Sequence, residues 1–306
     1  YQQQGRFKDA SQLHGRALNI RIKKLGRVHP DTAASHRHRS DFFQEFGYLD
    51  KAKTQARQCL NIESHCFGKN YVALALAYEC MGRLQMKLED FPRAATLFER
   101  ALSIHEKRKD LEGIASSLDD LGAALRSMKD LKESKRALKL HKKALVRRKK
   151  FNKEASLPIA KSYMQIGIAQ RMARQLNESE SSLRRCRDIL EELQLEDHAL
   201  FQQARDELGL TLHEKGQTED AIQLHLQTLQ QRLKALASWH PRIAESYHYL
   251  AEAYEGAQDF LSSVEYHEKC LAIRKMGHKN AVYRRYERLV AQKKIELLSQ
   301  DIVDES

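Results

Sequence analysis

The sequence predicts an all-α protein, a right-handed α-solenoid of about seven stacked helix hairpins closed by a C-terminal capping helix. Three observations lead there: small residues recur at nearly constant intervals, the positions around them have helical spacing, and helix breakers are scarce. Of 306 residues only 4 are Pro and 13 Gly, while 31% are charged and 42% hydrophobic. Such a composition disfavours a loop-rich β protein or a disordered chain and suits long helices with short joints.

The recurrence runs through Ala10, Ala52, Ala94, Ala137, Ser179, Ala221 and Ser263, spaced by 42 residues with one interval of 43. Seven places on, every residue is again small: Ala17, Cys59, Ala101, Ala144, Cys186, Thr228 and Cys270. Four places on stand His14, Ala56, Phe98, His141, Leu183, His225 and His267. Offsets of four and seven share one helix face, so each segment is one amphipathic helix, helix B. A second small residue precedes most anchors by twelve positions (Ser40, Gly82, Gly167, Gly209, Ala251) and marks a partner helix A. Gly122 stands fifteen before Ala137, so three extra residues are expected in that joint. Pro30, Pro158 and Pro241 open three A helices and Pro92 a B helix, because the first turn does not use the missing N–H. Two helices approach closely only where small residues leave a notch for a large one. One hairpin cannot bury its apolar faces alone, so hairpins stack.

The third repeat, Gly82…Ala94…Phe98…Ala101, resembles the tetratricopeptide repeat. The 42-residue period, longer than the plain 34, and the joint Leu25-Gly26-Arg27-Val28-His29-Pro30 narrow the resemblance to the repeats of kinesin light chains and nephrocystin-3-like proteins. Trp239-His240-Pro241 echoes that joint. The resemblance implies an array over residues 1–278, incomplete in its first repeat, with 279–306 as capping helix and tail. It implies a non-enzymatic scaffold or adaptor in the cytoplasm, associated with the cytoskeleton or a cilium. An Asn pair lines the cargo groove of kinesin light chains. Here the matching pairs are Arg37-His38, Glu79-Cys80, Asp119-Asp120, Met164-Gln165, Asp206-Glu207 and His248-Tyr249, and none contains Asn. The family's cargo motif is therefore not carried over. The helix around His36-Arg37-His38-Arg39 is poorly apolar and is expected to pack loosely. The first residue is Tyr, and the chain is expected to be a piece of a longer protein.

Nothing in the pattern asks for a cofactor or a metal. His141, His225 and His267 sit in the repeat's aromatic slot in different hairpins and read as packing residues. Cys59, Cys186 and Cys270 fill the small-residue notch, and no C-x-x-C pair occurs. Nucleophile-elbow, phosphate-loop and zinc-protease patterns are also missing from the sequence, so no enzyme is expected. The longest apolar stretch, residues 71–78, is too short to span a bilayer.

Two surfaces are candidate sites. The first is the groove lined by A helices, where Arg83, Arg126, Lys161, Arg171, Met86, Met164, His213 and His248 are expected to clamp an acidic peptide of a protein partner. Arginine would bond carboxylates and methionine would form an adaptable floor. The competing outcome is that groove charges pair among themselves. The second surface is the stretch 129–153, with 12 basic and 2 acidic residues in a chain of net charge +12. Its patch of Lys139, Lys142, Lys143, Arg147, Arg148, Lys149 and Lys150 suits an acidic protein or an anionic lipid. With Phe151 its lone aromatic, nucleic acid is the least favoured partner. The chain thus reads as a scaffold, with two alternatives: a sensor arm of a larger protein such as an NTPase, or an anion-surface binder.

Overall fold

A computed structural model describes residues 7–66, 72–238, 240–276, 287 and 290–293. The described residues form thirteen helices and no strand: α1 (Phe7–Leu25), α2 (Pro30–Glu45), α3 (Leu49–Cys66), α4 (Val72–Lys87), α5 (Phe91–Arg108), α6 (Leu111–Ser127), α7 (Leu131–Arg148), α8 (Leu157–Met172), α9 (Leu176–Glu192), α10 (Ala199–Glu214), α11 (Thr218–Ala235), α12 (Pro241–Gly256) and α13 (Phe260–Met276). Even-numbered helices are the A helices and odd-numbered ones the B helices. The chain divides into two compact units, Tyr1–Lys153 and Glu154–Ser306. Within each, every helix packs on its chain neighbours. A helices also touch one another, α2 on α4 and α4 on α6 in the first unit, α8 on α10 and α10 on α12 in the second.

The helices start and stop where local chemistry dictates. Asp90, Asp110 and Asp130 accept hydrogen bonds from the backbone N–H groups of Arg93, Gly113 and Glu133, satisfying donors that the first turn leaves open. His29, His198 and His240 cap through Nδ1, two of them directly before a proline. At the joints the chain reverses through one left-handed residue: Gly47 or Gly216, but also Glu89, Lys109, Lys129, Arg174, Gln194 and Gln258.

The predicted notch is the centre of each hairpin. A methyl group on Gly82 would lie 2.6 Å from the Phe98 ring, and one on Gly167 2.6 Å from Leu183. Gly209 faces His225 in the same way. In these three hairpins the facing residue lies sixteen positions after the glycine; for Gly122 it is His141, nineteen after. The three expected extra residues do not lengthen the joint, since α6 and α7 are separated by Met128, Lys129 and Asp130 just as α4 and α5 are by Leu88, Glu89 and Asp90. The offset is absorbed by sliding α7 about one turn along α6.

Helix α2 does not pack loosely. Phe42 and Phe43 are 1% and 4% exposed and join Ala52, Ala56, Met81 and Leu84 in one apolar cluster, which compensates for the polar first half. The expected capping segment 279–306 lies outside the described residues except for 287 and 290–293. Of these, Val290 is buried against Ala244 and Cys270.

Because the notch is close-packed, Gly82→Ala should destabilise the chain by about 1–3 kcal/mol through overpacking. Gly82→Ser combined with Phe98→Ala reproduces the Ser40 and Ala56 pair of the preceding hairpin. Chemical denaturation should show this double variant less destabilised than the sum of its single changes, by at least about 0.5 kcal/mol.

Candidate functional site

The acidic side chains three positions before the glycine slot do not line the groove. Asp119 turns inward, accepts a 2.7 Å hydrogen bond from His141 Nδ1–H and pairs with Arg148. Asp206 repeats this in the second unit, 3.6 Å from His225 Nδ1 and 2.5 Å from Arg232 Nη2. Glu79 accepts from Ser117 Oγ at 2.8 Å and lies 3.3 Å from His105 Nε2. All three acids are at most 7% exposed.

The basic partners Arg148, Arg232 and His105 each lie eleven positions after their B-helix anchor, so one buried node recurs. The same two positions carry Arg37 and buried Glu63 between α2 and α3, with the charges exchanged. Burial pushes the Glu63 carboxyl up and the charge of Arg37 pulls it back. Between α8 and α9 they are Met164 and Leu190, both buried and uncharged. Arg232 also reaches the next hairpin, donating to Ser246 Oγ at 2.6 Å and to the Arg242 carbonyl.

In the second unit the groove-facing residues stand four and five after the slot (Arg171, His213, Glu214, Glu255), one after it (Leu210, Glu252) and two before it (Tyr249). In the first unit Arg83 pairs with Asp41 at 3.3 Å, helix A to helix A, with 41% and 38% of the side chains exposed. Met86 is half-buried against the Leu121–Leu125 cluster, and Arg126 is half-buried. In the second unit Arg171 is held by two acids of α10, Glu207 at 3.0 Å and Glu214 at 2.6 Å, and Glu214 also binds Arg174. A cleft of about 560 Å³ opens over α8, α10 and α12, lined by Arg171, Leu210, His213, Glu214, Tyr249, Glu252, Glu255 and Gly256.

Gly256 makes room for His213, whose Cε1 would lie 2.2 Å from a methyl group there. His248 approaches Glu252, which is 46% exposed, at 3.4 Å, and Glu255 pairs with Lys293. Burial, and after it the charges of Glu207 and Asp206, hold the Tyr249 phenol above its ordinary range.

The structure therefore brings Arg171 and His213 to one cleft and places His248 beside its edge. Lys161 is exposed. Met164 is 2% exposed, so it belongs to the core and not to a groove floor. The reading from sequence missed Leu210, Tyr249 and Glu252. Their signal was the helical face that runs two before and one after the slot.

The basic stretch divides likewise. Lys139, Lys142, Lys143, Arg147, Lys149 and Lys150 are exposed, whereas Arg148 is buried on Asp119 and leaves the patch. Among the described residues no cluster of three or more His, Cys, Asp or Glu side chains could hold a metal ion. Burial raises the thiols of Cys59 and Cys186 to about 12 and that of Cys80 to about 11, which makes them poor nucleophiles.

Hairpins with a glycine notch, stacked A on A, define a tetratricopeptide-type array. Tetratricopeptide-repeat models match residues 1–31, 71–112 and 201–276, so the chain carries repeats of the tetratricopeptide type. No curated protein matches the sequence. Among solved structures it is similar to nearly identical TPR-like repeats of a Podosopora anserina protein assigned as a kinesin light chain. That match has 20% identity and a TM-score of 0.54, over 69% of this chain and 99% of that one. It is similar also to aspartyl phosphate phosphatase F from Bacillus subtilis, at 16% identity and TM-score 0.66, over 86% of this chain and 64% of that one. A signal-transduction ATPase with a tetratricopeptide repeat sensor from Pyrococcus horikoshii matches at 13% identity and TM-score 0.60, over 96% of this chain and 49% of the ATPase. At these identities the likeness establishes the fold. No helix among the described residues is long and apolar enough to cross a membrane.

Two outcomes follow from the node. Asp119→Ala strands His141 and Arg148 in the core and should cost about 3–5 kcal/mol in denaturant melts. The triple change Asp119→Met, His141→Leu, Arg148→Leu copies the Met164, Leu183 and Leu190 node and should recover most of that loss.

The histidines should also make stability depend on pH. Burial first, and then the nearby His248, lower His267 from 6.5 to about 4. Its folded state favours the neutral ring, so its contribution is complete above pH 6.5 and is lost as the pH falls toward 4. His267→Leu should therefore flatten the fall in melting temperature between pH 7 and pH 4. His105 acts oppositely: its hydrogen bond to Glu79, more than burial opposes it, raises its pKa. Its contribution is complete below pH 6.5 and fades as the pH rises through that raised value.

Proposed function

We propose that this chain is a protein-interaction scaffold and that the cleft over α8, α10 and α12 takes an extended segment of a partner protein. The observation that carries the reading is the cleft's composition. Leu210 and Tyr249 form an apolar wall; Arg171 already engages Glu207 and Glu214, Arg174 also binds Glu214 and Lys293 holds Glu255, which leaves Glu252, 46% exposed beside His248, as the carboxylate turned to an incoming cation. A pocket of this kind recognises a basic side chain next to an apolar or aromatic one. The acidic segment expected from the sequence would have to displace Glu207 and Glu214 from Arg171, breaking two charge-assisted bonds to form new ones. In the first unit Arg83 is engaged by Asp41 in the same manner. The cleft supports a binding role because it is an open surface within the second unit and not an enclosed chamber.

A second reading, a sensor arm within a larger protein, is favoured by one observation: the chain aligns with part of an ATPase described as carrying a tetratricopeptide repeat sensor. Both readings use the same cleft, and they differ in what lies beyond the chain.

Panning a random peptide library against the chain tests the cleft. Enriched sequences should carry Lys or Arg beside an apolar residue. Glu252→Lys should weaken them by about tenfold or more, as loss of a central anchor does, with the melting temperature unchanged, and Tyr249→Phe, which keeps the ring packed beside His225, should weaken them less than Tyr249→Ala. Enrichment of acidic sequences that are indifferent to these substitutions would refute the reading.

A further inference from the structure

The concave cleft leaves the densest charge of the chain unused. Seven cations of α7, Lys132, Lys135, Arg136, Lys139, Lys142, Lys143 and Arg147, are exposed. At about 100° per residue they fall within an arc of roughly 140° along a ridge about 22 Å long. Val146 lies within the same arc and is 60% exposed; Phe151, just past the helix end, is 44% exposed. Helix α7 sets no carboxylate of its own on that arc. Asp130 caps the N-terminus, and Glu133, outside the arc, bonds back to Arg136 at 2.7 Å.

We infer that the outer face of α7 docks on an anionic lipid bilayer. The helix is amphipathic in two senses: Ala137, Leu138, His141 and Ala144 are buried, and the opposite side is cationic. Each lysine near a negatively charged leaflet strengthens the attraction roughly fivefold, so this ridge carries enough charge to hold the chain at a surface without a second anchor.

Three features favour lipid over other anions. The charges lie on an exposed B helix and not in a groove, so they meet a flat surface together. Five of the seven are Lys, point charges that ask for no bidentate geometry. Val146 and Phe151 offer the ridge's apolar contacts, which enter a headgroup region and have no counterpart on a phosphate backbone. Base stacking has one platform, Phe151, and the ridge holds no Asn or Gln to read base edges.

The test is flotation of the whole chain with vesicles of phosphatidylcholine alone or with about 30% phosphatidylserine. The chain should float with the anionic vesicles and not with the neutral ones, and about 0.5 M salt should release it. The triple variant Lys139→Glu, Lys142→Glu, Lys143→Glu should lose more than roughly a hundredfold in affinity. Val146→Ser should lose severalfold at constant charge. A matched reversal of exposed Arg57, Lys107 and Arg108 on α3 and α5 should have a much smaller effect. All these positions are exposed, and a circular-dichroism melt checks that each variant folds. Equal binding to neutral vesicles, the same loss in the matched reversal, or tighter binding to an RNA duplex or a polyglutamate chain than to anionic vesicles would each overturn the inference.

Discussion

The approach of helix B to helix A at the glycine slot sets the spacing of everything else. A backbone without a side chain at Gly82, Gly167 and Gly209 lets Phe98, Leu183 and His225 press against the helix itself. That contact sets how far apart the axes stand, and so which residues above and below it can meet. The acid three positions before the slot and the residue eleven past the B anchor come within bonding distance because the notch has closed. The tyrosine and carboxylates one residue further round the A helix are thereby turned outward. The cleft is a consequence of the notch as much as of its own residues.

The buried node explains a pattern that composition hides. A charged pair in a core is costly unless each partner meets its opposite, and the alternative is to drop charge from both sides. The chain uses every form of this rule. Asp119 and Asp206 meet arginines, Glu79 meets a histidine, Arg37 lies near Glu63 with signs reversed, and Met164 with Leu190 omits charge. Substituting one member changes the requirement on the other. Hairpins can therefore differ in sequence while keeping one geometry, and a hairpin with one node chemistry is a poor partner for a strand of sequence built for another.

Much of the fold was legible because the notch constrains residue type: only a small side chain fits at Gly82 or Ala101, and such residues recur visibly. The joint before α7 was legible as an irregularity of three residues. Its resolution, a slid helix and not a longer turn, depends on packing that spacing alone does not contain. The groove was harder. Neighbouring residues on a helix point about 100° apart, so counting from the slot with an error of one exchanges core for surface. Met164 reads as a groove residue on that basis, and Asp119 and Asp206 fall at the positions that match the groove pair of kinesin light chains. Their burial is decided by what faces them, Arg148, Arg232 and the apolar core around Leu190, all far away in sequence. Arg171 does stand in the cleft, but its engagement by Glu207 and Glu214 comes from a helix some forty residues on.

Charge is consequently sorted by surface, and the net value of the chain describes neither candidate site. Twelve of its basic residues and only two acidic ones lie in 129–153, which accounts for nearly the whole imbalance. The A-helix faces are close to neutral because their ions pair from repeat to repeat, Arg83 with Asp41 and Arg171 with Glu207 and Glu214. Paired ions in a groove give direction and exclude mismatched partners more than they supply affinity. An unbalanced ridge acts at longer range and with little selectivity. The two surfaces are thus suited to different tasks, one to choosing a segment by its chemistry and the other to holding the chain where a negative surface already lies. Neither requires the other to be occupied, so substitutions on α7 and in the cleft are separable by salt: attraction to the ridge weakens steeply with ionic strength, whereas a contact built on Leu210 and Tyr249 keeps most of its strength.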